Sequence, residues 1–243
     1  MRVLAAALLP LACGHEVPAD TGDTAPDVGG PATVAAVRDA LDAGTLWEGS
    51  AVALSGVVAT TGITGDGSAF FVQDVGGGER TGIRIHLGDV FDPVPASPGA
   101  VLDVAGTIAF YDEVPEIAVT AAGDVVGGGT ADPVADPLAC DTTDPAPWEG
   151  GLVSVADLVT TGPVDAYGEA PTACGLALDD LFTDFDLTEG TACVTASGVI
   201  LLVRGEARLA PRDAGDLSSC GAALSPPPAG RPARRTPCAA SSS

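Results

Sequence analysis

The sequence predicts an all-β protein of two tandem five-stranded barrels, the first preceded by a short helix. Three observations carry that expectation. One layout occurs twice: Trp47-Glu48-Gly49 opens a β-rich run to Val58, and Trp148-Glu149-Gly150, 101 residues later, opens another to Val159. Self-similarity over that distance marks two copies of a domain rather than a short-period solenoid. Hydrophobic residues make up 46% of the 243 residues but aromatics only 4%, so the cores must be built mostly from Val, Leu, Ile and Ala. The 32 glycines and 20 prolines supply turns for many short strands.

The length accommodates two domains of about 90 to 100 residues each. They are expected at 33–132 and 133–222. Thr33 reads as an N-cap, Val34, Val37 and Leu41 recur at helical spacing, and Gly44 reads as the stop. Strands are expected at 51–61, 69–74, 82–87, 100–111 and 116–120. Between them lie Gly-rich turns at 62–68 and 75–81 and a Pro-rich connection at 89–99. In the second copy the first strand is expected at 151–164, the second at 174–179, the fourth at 192–203 and the fifth at 207–210. The third is weakly marked, near 181–186. Gly106 and Gly198 sit midway along matching long strands and read as bulges or sharp bends.

Five strands per copy, with a long first strand and a bent fourth, fit an OB-fold barrel. The first copy carries Gly56-Val57-Val58, Phe71-Val72-Gln73-Asp74 and Val104-Ala105-Gly106. These segments resemble the OB-fold domains of secreted bacterial nucleases and of delta-proteobacterial, myxobacterial-type lipoproteins. The second copy carries Glu149-Gly150-Gly151-Leu152-Val153, Ala196-Ser197-Gly198-Val199 and Leu209-Ala210-Pro211-Arg212-Asp213, and is similar to the partner domain that often follows. The resemblance covers about residues 33 to 219 and implies fold more than activity.

Residues 1–13 read as a signal peptide: Met1-Arg2, then an apolar run from Val3 to Ala12 too short to span a bilayer. The run ends Leu9-Pro10-Leu11-Ala12-Cys13, which resembles a bacterial lipobox, although Pro10 and Leu11 depart from the usual residues. The resemblance implies lipidation of Cys13 and residence in the cell envelope, as an outer-membrane lipoprotein; ordinary secretion is the alternative. Residues 14–32 form an acidic linker and 223–243 a disordered tail. Export puts the six cysteines in an oxidising compartment. Cys174 opens the second strand of its copy and Cys193 the fourth, while Cys140 and Cys220 flank the copy. The expected pairing is therefore Cys174–Cys193 with Cys140–Cys220.

There are 33 acidic residues against ten arginines and no lysine, a net charge of -23. That field opposes binding to a phosphate backbone. The histidines are His15 and His86 alone, no Gly-x-Ser-x-Gly elbow occurs, and Gly76-Gly77-Gly78 is followed by no Gly-Lys-Ser/Thr. No cysteine pair has Cys-x-x-Cys spacing, so a zinc site is not expected. Asp20, Asp23 and Asp27, and Asp179, Asp180, Asp184 and Asp186, read as solvated acidic loops rather than calcium sites.

The strongest ligand-site candidate comes from alternation. Phe70 and Val72 face the core, as do Ile83, Ile85 and Leu87, leaving Phe71, Gln73, Arg84 and His86 as an outward platform of the kind on which OB-folds bind. Ala177 and Asp179 stand at the matching places of the second copy and leave its platform blank. The expected function is non-catalytic: an exported, lipid-anchored binding or scaffold protein without metal or cofactor. Its partner is an envelope protein or small ligand, and its only membrane contact is the lipid on Cys13. The alternative is a nucleic-acid-binding or nuclease-associated accessory protein.

Overall fold

The structure, a computed structural model, describes residues 32–90, 93–142 and 144–222. The signal segment, Cys13, the acidic linker up to residue 31, Cys238 and the tail lie outside the described residues. The linker's last residue, Ala32, is already part of the fold: its N–H donates to the Ala53 carbonyl at 2.8 Å.

Helix α1 spans Val34–Asp42. Thr33 caps it, its hydroxyl oxygen accepting the Ala36 N–H at 3.1 Å. A second cap comes from far along the chain. The Asp74 carboxylate accepts the Val34 and Ala35 N–H groups at 2.7 and 3.1 Å. A negative charge at a helix start also opposes the helix dipole. Val34 and Val37 are buried on the inner face.

The first sheet holds β1 (Ala51–Ala59), β2 (Ala69–Gln73), β3 (Gly82–His86), β4 (Ala100–Tyr111), β5 (Val114–Ala118) and β6 (Val125–Thr130). Pairing runs β1-β2-β3-β5-β4, with β4 also paired to β1 and to β6. The β3–β5 pairing is parallel and the others are antiparallel. All five expected strands of this copy are present. The fifth starts earlier than expected, because a two-residue turn, Asp112-Glu113, joins β4 directly to Val114. Strand β6 was not anticipated: Val125-Val126-Gly127-Gly128-Gly129-Thr130 reads as a linker from composition.

The second sheet holds β7 (Asp136–Leu138), β8 (Leu152–Val159), β9 (Glu169–Ala170), β10 (Ala177–Asp179), β11 (Thr191–Val203), β12 (Glu206–Ala210), β13 (Leu217–Ser218) and β14 (Gly221–Ala222). Its path is β7-β8-β11-β12-β10-β9, with β13 and β14 also on β11. Here the expected strand count was displaced by one. The segment 174–179, expected as the second strand, holds β10, which pairs parallel to β12 as β3 does to β5 and is therefore the counterpart of β3. The counterpart of β2 is the two-residue β9, too short to leave a period-two signal. Residues 181–186 contain no strand.

The two copies superpose in register. Val52 pairs Gly106 and Val153 pairs Gly198; Val104 pairs Val125 and Ala196 pairs Leu217. Early positions such as Val52 and Val153 lie 101 residues apart, late ones such as Gly106 and Gly198 only 92. The second copy therefore lacks nine residues, all between its first and fourth strands. Gly106 and Gly198 are not bulges, since pairing continues unbroken through both. A Cβ at Gly106 would lie 2.5 Å from the Ala118 carbonyl oxygen, and one at Gly198 2.5 Å from that of Ala210. Both glycines permit the last residue of the next strand to close over them. Register breaks lie elsewhere: in β1 between Leu54 and Val57, where Gly56 takes φ 68°, and in the β4–β6 pairing between Val101 and Leu102.

Each copy has its own core. Phe70, Ile83, Ile85, Leu102, Ile108 and Ile117 pack with α1 in the first; Val153, Val155, Leu158, Leu178, Ile200 and Leu209 fill the second. The disulfides are Cys140–Cys174 and Cys193–Cys220. The expected pairing is thus overturned. Cys193 lies in β11, which runs against β14 near Cys220, whereas Cys174 precedes β10 on the far side of β12 and meets Cys140, which follows β7.

Candidate functional site

The outer face of β2 and β3 does not meet solvent as an open platform. It meets the second copy. Alternation does turn Phe71 and Gln73 away from the first core, yet both are almost fully buried. Phe71 packs edge-on against Phe182 with centroids 6.0 Å apart, within a cluster that includes Leu152, Val199 and Leu201. Gln73 serves as a connector: its amide nitrogen donates to the Val134 carbonyl at 2.9 Å, and its amide oxygen accepts the Leu152 N–H at 3.1 Å. The sequence shows which face these residues occupy, but not what covers that face.

The seam between the copies is anchored by the second Trp-Glu-Gly. Glu149 is buried against Arg38 of α1, which also donates to the Gly82 carbonyl at 2.8 Å and the Glu149 carbonyl at 3.0 Å. Burial pushes the Glu149 carboxyl up, against the opposing pull of Arg38. A Cβ on Gly82 would overlap the backbone of Gly150 and Gly151. The Arg80 N–H donates to the Pro147 carbonyl at 2.6 Å, and the Gly78 N–H to Asp136 at 2.6 Å. In the first copy Glu48 is exposed, so the repeated motif alone does not reveal which glutamate is used.

Beside this seam a cleft of about 270 Å³ stays open, lined from both copies. Its first wall is Phe71, Arg84, Tyr111, Val114, Pro115 and Glu116; its second wall includes Asp179, Leu181, Leu201 and Val203. Arg84 stands at its centre. Nη1 lies 3.0 Å from Glu116 Oε2, and Cζ lies 4.9 Å from the centroid of the Tyr111 ring. The contact with Glu116 lacks hydrogen-bond geometry, and Oε2 has no hydrogen-bond partner among the described residues. At the rim, hydrogen bonds from the Thr64 hydroxyl and from the Ser68 N–H and hydroxyl hold the Asp66 carboxyl down to about 2. Opposite, Asp179 lies 3.4 Å from Arg208, which also pairs Glu169.

Of the four expected platform residues, Phe71 and Arg84 line this cleft, Gln73 is consumed in the seam, and His86 lies outside the lining, its buried Nδ1 without a hydrogen-bond partner among the described residues. Tyr111, Glu116 and Glu149 were missed by sequence reasoning. Tyr111 ends a strand and Glu116 sits in a short one, so neither carries a local signature. Among the described residues, no group of three or more His, Cys, Asp or Glu side chains is gathered to hold a metal ion. Comparison of the chain with protein-family models, curated proteins and solved structures finds no match.

Proposed function

We propose that the protein is an exported, lipid-anchored, non-catalytic binding module of two OB-fold barrels, with its ligand site in the cleft between them. The OB-fold reading is supported by the pairing order. In the first sheet it runs β1-β2-β3-β5-β4 and returns to β1, with only β3–β5 parallel. In the second the same order links β8, β9, β10, β12 and β11, the β8–β9 side being represented by the Thr160–Thr172 bridge. Two disulfides are compatible with an oxidising compartment.

One observation carries the binding reading: a concave site with an aromatic and apolar lining and a few converging polar groups, formed where two domains meet. Its charges are tied to opposite charges or to hydroxyls, an arrangement that fixes shape rather than moves protons. The nucleic-acid alternative is opposed by the same carboxylates and by the net charge of -23. Native mass spectrometry of the full chain, after incubation with an extract of the native envelope, tests the site. A small-molecule adduct is expected on the wild type and not on Tyr111→Ala. No adduct on either, or an equal adduct on both, would remove the cleft from consideration. Cys13→Ser tests the anchor: the variant is expected in the soluble fraction, and retention in the membrane pellet would refute lipidation.

A further inference from the structure

The carboxylates of the cleft outnumber the cations that face them. Asp66, Glu116, Glu149 and Asp179 line it, and Glu169 stands beside Asp179 on the same arginine. Against these five carboxylates stand three arginines: Arg84 on Glu116, Arg38 on Glu149, and Arg208 shared between Asp179 and Glu169. Two negative charges are therefore uncompensated, one on each wall. On the first wall it is Asp66, whose hydrogen-bond partners, Thr64 and Ser68, are neutral. On the second it is Asp179, which has only a share of Arg208. A further carboxylate crowds that wall: burial, with the charges of Asp179 and Asp184, pushes the Asp180 carboxyl up.

A second observation is independent of the charge count. Glu116 is 6% exposed, yet its Oε2 accepts no hydrogen bond among the described residues. A buried carboxylate oxygen without a donor is costly, and an N–H from a ligand would supply one. Arg84, the lining cation, is already committed to Glu116 and to the Tyr111 ring. The rest of the lining is largely apolar. Tyr111 is 59% exposed at the mouth, and Phe71, Val114, Pro115 and Leu201 continue from it. Arg84 takes one face of the Tyr111 ring, and the other suits a cation or a methylene stem. A volume of about 270 Å³ falls at the small end of ligand sites and suits a short, narrow molecule. Surplus negative charge on two walls, with apolar surface between them, is the complement of an apolar stem with a positive charge at each end.

We propose, resting on the reading of the cleft as the ligand site, that its occupant is a short aliphatic dication, a diamine or guanidino-amine, with one charged end at Asp66 and Glu116, the other at Asp179, and its methylene stem against Tyr111.

The test is isothermal titration calorimetry of the full chain with a panel of probes at millimolar concentration. Putrescine, cadaverine and agmatine represent the class. Pentylamine, pentanediol and glutarate share the stem length of cadaverine but carry a single positive charge, no charge and two negative charges. At least one dication is expected to bind as a single molecule per chain, about tenfold or more tighter than the diol or glutarate. It is expected to bind about threefold tighter than pentylamine. Asp66→Asn and Asp179→Asn are each expected to weaken it about twofold to fivefold. Arg84→Gln removes the cation that opposes the ligand and is expected to tighten binding about threefold to tenfold. A damaged fold would only weaken binding, so the opposite signs separate ligand contact from structural loss. If Arg84→Gln does not fold, the two Asp variants decide. Binding of many dications per chain, unmoved by these variants, is diffuse attraction to the net charge of -23 and overturns the inference. Diol or glutarate binding as tight as that of the dications, and lost in Tyr111→Ala, would keep the cleft as the site and overturn the dication. Silence from every cation overturns the inference while leaving the envelope-extract experiment to judge the cleft.

Discussion

Arg38 sits on a short helix, yet its guanidinium is buried and bonded to the other half of the molecule. Removing one partner of such a pair leaves the other charged and enclosed, a cost of about 3 to 5 kcal/mol. Arg38→Met and Glu149→Leu are each expected to destabilise on that scale, and the double variant by clearly less than their sum. A urea double-mutant cycle reads this, and simple additivity would contradict it. Asp66 gives a pH signature. Its folded value of about 2 lies below the ordinary 3.8. As pH falls the unfolded chain takes up the proton first, so the stabilisation is whole above about pH 4 and disappears toward about pH 2. Asp66→Asn should therefore lower the urea midpoint at pH 6 and have little effect near pH 2. An equal loss at both would show that the carboxylate's charge is not the cause. Glu113 takes φ 69° in the two-residue turn between β4 and β5, where the matching turn of the second copy, Arg204-Gly205, has glycine. Glu113→Gly is expected to stabilise by about 0.5 to 1 kcal/mol, measured as a raised thermal midpoint. At this scale the sequence was legible for orientation and silent on environment. Alternation put Phe71 and Gln73 on the outer face correctly, but the Leu152 N–H that claims Gln73 lies 79 residues away.

Among elements, legibility followed strand length. Strands β1, β4, β8 and β11 have eight or more residues each and announce themselves by alternation and branched side chains. Strands β9 and β10 have two and three, and their pairing comes from neighbours rather than from local propensity, so the second copy was misnumbered. The glycines were recognised as special for the wrong reason. Gly106 and Gly198 mark a closely approaching carbonyl, which leaves the same trace in a sequence as a bulge does. Gly198→Ala is expected to cost about 1 to 3 kcal/mol from overpacking, whereas the same change at exposed Gly221 should be nearly silent. The disulfides failed because their topology depends on that misnumbered β10. They close loops spanning 34 and 27 residues, each stabilising by about 3.5 kcal/mol in the chain-entropy model. Peptide mapping of the unreduced protein should recover Cys140–Cys174 and Cys193–Cys220. A Cys174–Cys193 peptide would contradict the structure.

For the molecule as a whole, the duplicated layout was legible and the use made of it was not. Both copies carry the same scaffold, but nine residues fewer between the first and fourth strands leave the second with only a remnant of β2. The second copy covers the first one's outer face instead of presenting such a face itself. With Arg38, Gln73, Gly78 and Arg80 all bonded across the seam, the halves should melt in a single calorimetric transition. Gly82→Ala, which has no room against Gly150, should split or sharply lower that transition. The seam also has a consequence in time. A chain is made from its N-terminus, and every residue on the far side of the seam comes later than the first sheet. Until Glu149 and Leu152 arrive, the finished first half displays Phe71 bare and leaves Arg38 without its counter-ion. The half-made chain is thus the stickiest form this protein passes through, and the second half, with both disulfides inside it, ends that exposure.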